Sequence, residues 1–261
     1  MLSSVFAKSV ADRRRATLIS VALVGIYGAV AVIAYDALGD TVIELIETMP
    51  PALAALYGAG DGTALGMAIS AVYSIIAPAV VLTYAIGGGS GAAVGEESRG
   101  TMDLLLSNPV SRTSVLASKA SVVAGGVAVV SAATWLGVVA ATLVLDGGVG
   151  ERNVVALSVM LIGLGWMMGA LALAISGWSG VSALGTGVAA SVALASFLLT
   201  TVFSVNDAFE TIGQFTPWYL YSGNDPMVNG VDWLSLAIML GSTALLTLVG
   251  ILGVNRRDLR G

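Results

Sequence analysis

The chain has 261 residues, of which 57% are hydrophobic and only 10% charged, with a mean hydropathy of +0.93 and a formal charge of −5. Typical soluble domains are roughly 45–50% apolar and about 25% charged, so polar groups here are too scarce to cover a water-facing surface, while the apolar content excludes a disordered chain. With no Cys and no His, disulfides, zinc fingers, His general bases, haem–His ligation and Cys nucleophiles are ruled out, the acidic balance disfavours nucleic acid, and an integral membrane protein remains.

Crossing about 30 Å of hydrocarbon takes about 20 helical residues, and six uncharged apolar runs are that long. They are too long, and alternate too little, for β-barrel strands. The predicted fold is therefore an all-α integral membrane protein, a single transmembrane domain of six spans over 1–261.

The chain opens with residues 1–15, where Leu2, Val5, Phe6 and Val10 recur at helical spacing and Lys8 with Arg13, Arg14 and Arg15 supplies a polar side. This pattern predicts an amphipathic helix lying in the membrane interface; a plain basic flank that sets topology is the alternative. The first span is 16–35. It is longer than the 7–15 residues of a signal peptide's apolar core and is read as a retained helix. The outer loop that follows is acidic, with Asp36, Asp40, Glu44 and Glu47 spaced among Val42, Ile43, Leu45 and Ile46 and a break at Pro50-Pro51. A solvated surface helix fits it, and the carboxylates lack calcium-loop spacing.

The second span, 66–86, holds Pro78 in its middle, where a kink is expected. A loop over 87–112 leads to the third span, 120–145, and the fourth covers 154–176. In the fourth, Gly165 and Gly169 form a small-xxx-small pair that lets helices approach closely, within one bundle or at a dimer face. The fifth span is 181–203. The last outer loop, 204–232, is rich in aromatics: Phe209, Phe215, Trp218, Tyr219 and Tyr221, with Trp233 at its end. Short helices dipping into the outer leaflet are expected, one of them ended by Pro217, either anchoring the bundle to the headgroups or roofing an exit path. The sixth span is 233–254.

Basic residues cluster before the first span (Lys8, Arg13 to Arg15), in the 87–112 loop and just after it (Arg99, Arg112, Lys119) and in the C-terminal tail (Arg256, Arg257, Arg260). The alternate loops hold only Arg152. The positive-inside rule then puts both termini in the cytoplasm of a multi-pass cell-membrane protein. With that topology the cytoplasmic side carries ten basic residues against five acidic ones, a net of +5, and the outer side one against eleven, a net of −10. The overall −5 is thus an average of two unlike surfaces.

The 87–112 loop is the most distinctive segment. Its glycine cluster, Gly87-Gly88-Gly89-Ser90-Gly91, lacks the Gly-Lys-Ser/Thr of a phosphate-binding loop. The cluster is expected to free the chain from the second helix. Beyond it, about 94–106 is amphipathic; Leu104, Leu105 and Leu106 would be costly in water, and Pro109 ends the element. A charged, partly apolar helix beside a bundle suits docking to another protein, or lying in the interface alone.

The run Glu96-Glu97-Ser98-Arg99-Gly100-Thr101-Met102-Asp103-Leu104-Leu105-Leu106-Ser107-Asn108-Pro109-Val110-Ser111-Arg112 resembles the cytoplasmic loop of ATP-binding-cassette transporter permeases of the six-span exporter class, the type-two permeases. Length, six spans, an amphipathic N-terminal segment and a structured last outer loop extend the resemblance along the chain. It looks more like the branch that includes the copper-site maturation permease of nitrous oxide reductase than like the drug or polysaccharide branches.

The resemblance implies that this loop is a coupling helix docking on a separate ATPase subunit. Glu96, Glu97, Arg99, Gly100, Thr101 and Asp103 would then lie at or near the contact, and Leu104, Leu105 and Leu106 would pack against the bundle. Rim charges would tune partner choice while apolar anchors carry affinity. The chain lacks ATPase motifs, so it is expected to be no enzyme and to hold no cofactor or metal, with ATP and Mg on the partner. A second copy of the chain, or a paired second permease, would complete one path.

Competing functions fit less well. An ion-coupled carrier usually buries ionisable groups in the membrane, and these spans have none and show no inverted repeat. An embedded enzyme lacks the usual acid–base and metal groups. An ATPase-driven scaffold or mechanical device without transport shares every feature of the permease. The spans offer hydroxyls with Trp135, Trp166, Tyr73 and Tyr84, which suits an apolar or amphipathic cargo.

Overall fold

A computed structural model of the chain describes residues 2–38, 63–95, 111–145, 152–202 and 211–257, with 41, 44 and 48–50 between the first two segments. The described residues form helices and turns and contain no strand. Six helices are long and apolar enough to span a membrane. Helix α1 is Leu2–Leu38, α2 is Ala64–Val94, α3 is Arg112–Val144 and α4 is Val154–Ser179. Helix α5 is Ser182–Phe197, carried on by a π turn over Leu198–Val202. Beyond a helical turn over 211–213, α6 covers Pro217–Ser222 and α7 covers Pro226–Asn229, before α8, Trp233–Arg256.

Helix α4 is the hub of the bundle. The most apolar window of α4 is 72% buried, against 22% for the windows of α1, α5 and α8. It packs on α2, α3, α5 and α8, while α1 packs chiefly on α3. The core is built from Tyr73, Val81, Val127, Met160, Leu164 and Met239, all nearly inaccessible. Close approach at the crossings is allowed by paired glycines. A Cβ on Gly89 would strike the Gly169 carbonyl across the α2–α4 crossing. One on Gly177 would lie 2.6 Å from the Gly250 carbonyl across α4–α8. Without a hydrophobic force between helices in lipid, such backbone-to-backbone packing supplies the attraction. Gly165 likewise faces Val81 and Val127, so the Gly165–Gly169 pair serves packing within the bundle.

Three local features differ from the sequence-based expectation. The interfacial helix expected over 1–15 is not a separate element: it runs unbroken into the first span as α1. No Gly or Pro interrupts 2–24, and Ala and Arg favour continued helix. The glycine cluster does not release the chain, because Gly87 to Gly91 lie inside α2, which continues to Val94. The tight crossing at Gly89 holds that turn in the helix, whose ladder satisfies its backbone groups near the membrane. Helices α2 and α3 therefore outrun their apolar runs by eight residues each, about 12 Å at 1.5 Å per residue.

A π turn over Val72–Ile76 sits one residue ahead of Pro78, an irregularity of the kind expected there. Pro217 starts a helix: it occupies the first turn of α6 behind the N-cap Thr216, where its missing N–H costs nothing, and the helical turn over 211–213 stops ahead of it.

Candidate functional site: the stems of the loop between the second and third spans

Glu96, Glu97, Arg99, Gly100, Thr101, Asp103, Leu104, Leu105 and Leu106 all lie outside the described residues. The structure instead defines the two stems from which that loop hangs. The outgoing stem closes with Gly95 N–H donating to the Gly91 carbonyl at 2.9 Å. The returning stem starts at Ser111, whose Oγ accepts from the Ser114 N–H at 3.2 Å and caps α3. Such a cap contributes about 1 kcal/mol.

Both stems are planted on the bundle by a small apolar cluster distinct from the main core. Ala93 and Val94 from α2, Leu116 from α3, Leu173 from α4 and Val254 from α8 form it, each less than 9% exposed. Polar ties reinforce the same end. Asn255 Nδ2 donates to Thr113 Oγ1 at 3.1 Å, and Arg112 Nη1 to the Arg257 carbonyl at 3.4 Å, joining α3 to the end of α8. Trp178 Nε1 donates to the Val249 carbonyl at 2.9 Å, with the Arg256 guanidinium 5.7 Å from its ring, joining α8 to α4. A displacement of either stem would thus be felt by α4 and α8. These anchors were not identified from the sequence, because single apolar residues at the ends of apolar runs carry no signal of their own.

The opposite end of the bundle is also built. Trp218 stacks edge-on against Phe197 at 4.8 Å and against Tyr221 at 5.7 Å, seating α6 on α5. The Tyr221 hydroxyl donates to the Tyr73 carbonyl at 2.7 Å. That carbonyl is the one the π turn strands: Ala77 N–H is drawn to the Val72 carbonyl, and the next residue, Pro78, has no N–H. Tyr221 supplies the missing donor, which a buried acceptor needs. Burial holds the Tyr221 phenol well above its ordinary pKa, with the neighbouring Tyr73 adding to the effect, so it stays a donor throughout the accessible pH range. Phe215 and Trp233, near this layer in the chain, are 86% and 74% exposed. Nearby, Asp232 caps α8, accepting from the Leu234 and Ser235 N–H groups and from the Ser235 hydroxyl. The hydroxyl bond chiefly, with the two N–H bonds, holds the Asp232 carboxyl below its usual range.

The six helices long and apolar enough to span a membrane agree with the sequence comparison. Residues 4–259 match the family described as ABC-2 family transporter protein. The chain belongs to the ABC-2 transporter family. It is a multi-pass membrane protein and an ABC transporter permease. The match is to the ABC-2 family as a whole and selects no branch within it. No curated protein matches the chain significantly. Permeases of the ABC-2 family generally work with an ATPase subunit.

Proposed function

We propose that this ABC-2 permease is the membrane subunit of an exporter, driven by a separate ATPase that docks on the loop joining α2 to α3, which holds the run 96–106. The observation that carries the reading is the planting of both loop stems on α4 and α8 through Ala93, Val94, Leu116, Leu173 and Val254. A loop held this way passes a push from outside the membrane into the most buried helix of the bundle. In this reading Glu96, Glu97, Arg99, Gly100, Thr101 and Asp103 face the ATPase, and Leu104 to Leu106 rest against the bundle. ATP and Mg belong to the partner, and this chain performs no catalysis.

The clustering of Lys and Arg supports a cell-membrane topology with both termini in the cytoplasm. The largely exposed apolar faces of α1, α5 and α8 suit lipid on some sides and a second copy of the chain on another. Two copies would enclose one path for an apolar or amphipathic cargo.

The test is recovery of ATP hydrolysis with the tagged chain from its native membranes. Wild type should bring the activity down. The double reversal Glu96→Lys with Glu97→Lys should lower the recovered activity by about tenfold, equivalent to about 1.4 kcal/mol of lost contact. Equal recovery from the double variant would overturn the docking assignment. Cargo movement in vesicles that ignores ATP would overturn the ATP-driven reading.

A further inference from the structure

We propose that a cleft between α1, α2 and α3, at the headgroup level on the side of the N-terminus, binds the phosphate of an anionic membrane phospholipid. The cleft encloses about 260 Å³. It is lined by residues 9–16 of α1, 87–92 of α2 and 119–123 of α3. These segments straddle the limits of the apolar runs, at 16, 86 and 120. The cleft therefore opens where lipid phosphates lie, and basic pockets between spanning helices are known to receive such headgroups.

Its charges suit a phosphate. Arg13 and Lys119 both line it. The Arg13 guanidinium is fixed: Nη2 donates to the Tyr84 carbonyl at 3.1 Å, and the group sits 4.6 Å from the centre of the Tyr84 ring. The Tyr84 hydroxyl is in turn tied to Thr17 Oγ1 at 2.9 Å. Arg13 Nε, by contrast, is buried with no hydrogen-bond partner among the described residues. A prepositioned guanidinium beside the Lys119 ammonium suits an anionic acceptor in the cleft. Asp12 is the carboxylate on the wall, and its side chain is exposed.

The glycine run explains the room. Each Gly inside a helix costs about 1 kcal/mol relative to Ala. Gly88 and Gly89 earn their place by close contact, Gly88 with Val123 and Arg13, Gly89 with Gly169. Gly87 and Gly91 have no such reason: a Cβ on either would meet nothing within 4 Å. They line the cleft and keep it open for the glycerol and ester end of a lipid.

The proposal needs only the membrane fold and stands apart from the exporter assignment. It is tested by thermal unfolding of the purified chain in neutral detergent. Phosphatidylglycerol, phosphatidylcholine or inorganic phosphate is titrated in. Phosphatidylglycerol should raise the midpoint saturably, and phosphatidylcholine should not. Gly91→Leu, which fills the cleft without touching a charge, and Lys119→Gln should each shift the half-saturating concentration by about tenfold or abolish the response. Asp12→Asn should lower it. Where Gly91→Leu fails to fold, Lys119→Gln and Asp12→Asn decide by their opposite signs. Equal protection by inorganic phosphate would keep the phosphate site but reject a lipid as its occupant. An unchanged phosphatidylglycerol response in Lys119→Gln and Asp12→Asn, or no response in wild type, would overturn the proposal.

Discussion

Tyr221 and Asp232 show how single side chains settle the ends of helices in this protein. Replacing Tyr221 by Phe keeps the ring between Trp218 and the bundle but removes the donor to the Tyr73 carbonyl. The stranded acceptor should lower stability by about 1–3 kcal/mol, read as a drop in thermal midpoint in detergent. Pro78→Ala restores an N–H beside that carbonyl. The Tyr221→Phe penalty should therefore shrink in the Pro78→Ala background, and a double-mutant cycle measures that coupling. Additive effects would mean that Tyr221 does not stand in for the proline's missing donor. Asp232 has its carboxyl held below the usual range, above all by the Ser235 hydroxyl. Its contribution is present above the unfolded carboxylate value of about 3.9 and fades as pH falls through the lower folded value. Stability profiles between pH 7 and pH 3 should lose part of their acid limb in Asp232→Asn.

At the scale of helices, packing overrode local propensity in two places. Four glycines in five residues read as a release point, yet α2 carries them as helix because α4 lies too close for any side chain at Gly89. Gly89→Leu should force α2 and α4 apart, costing at least the roughly 1–3 kcal/mol typical of overpacking, and cut the yield of folded protein in a detergent gel-filtration profile. Gly87→Ala, with open space around its Cβ, should be neutral or slightly stabilising in the same assay. The unbroken α1 has a related origin. Along its start, Arg13 turns inward to the Tyr84 carbonyl and ring, tying that stretch of α1 to α2.

For the whole molecule, the expected coupling route runs from the loop stems through the small apolar cluster into α4 and α8. Leu116→Ala should open a void in that cluster and loosen the returning stem. ATPase recovery with the chain should persist, since the residues proposed to dock the ATPase are intact, while ATP-driven cargo movement in vesicles should fall several-fold. Loss of both together would mean that Leu116 supports docking itself. Asn255→Ala, which unties α8 from Thr113, should act in the same direction with a smaller effect.

The sequence by itself determined that the chain is an all-α membrane protein with six spans, because length and uninterrupted apolarity leave the backbone no other way through hydrocarbon. It also marked the 96–112 run that resembles a permease coupling loop, a signal held in contiguous residue types. Only the tertiary structure decided which helix is central, why the glycine run stays helical, where the loop stems are anchored and which donor satisfies the Tyr73 carbonyl. Each of these depends on partners far apart in the chain, Gly89 with Gly169, Val94 with Val254, Tyr73 with Tyr221. Hydropathy along one chain reports how far a residue is from water, and six nearly uniform apolar runs look alike in that measure. Which of them touch is set by backbone approach and by single hydrogen-bond donors, and those exist only once the helices are packed.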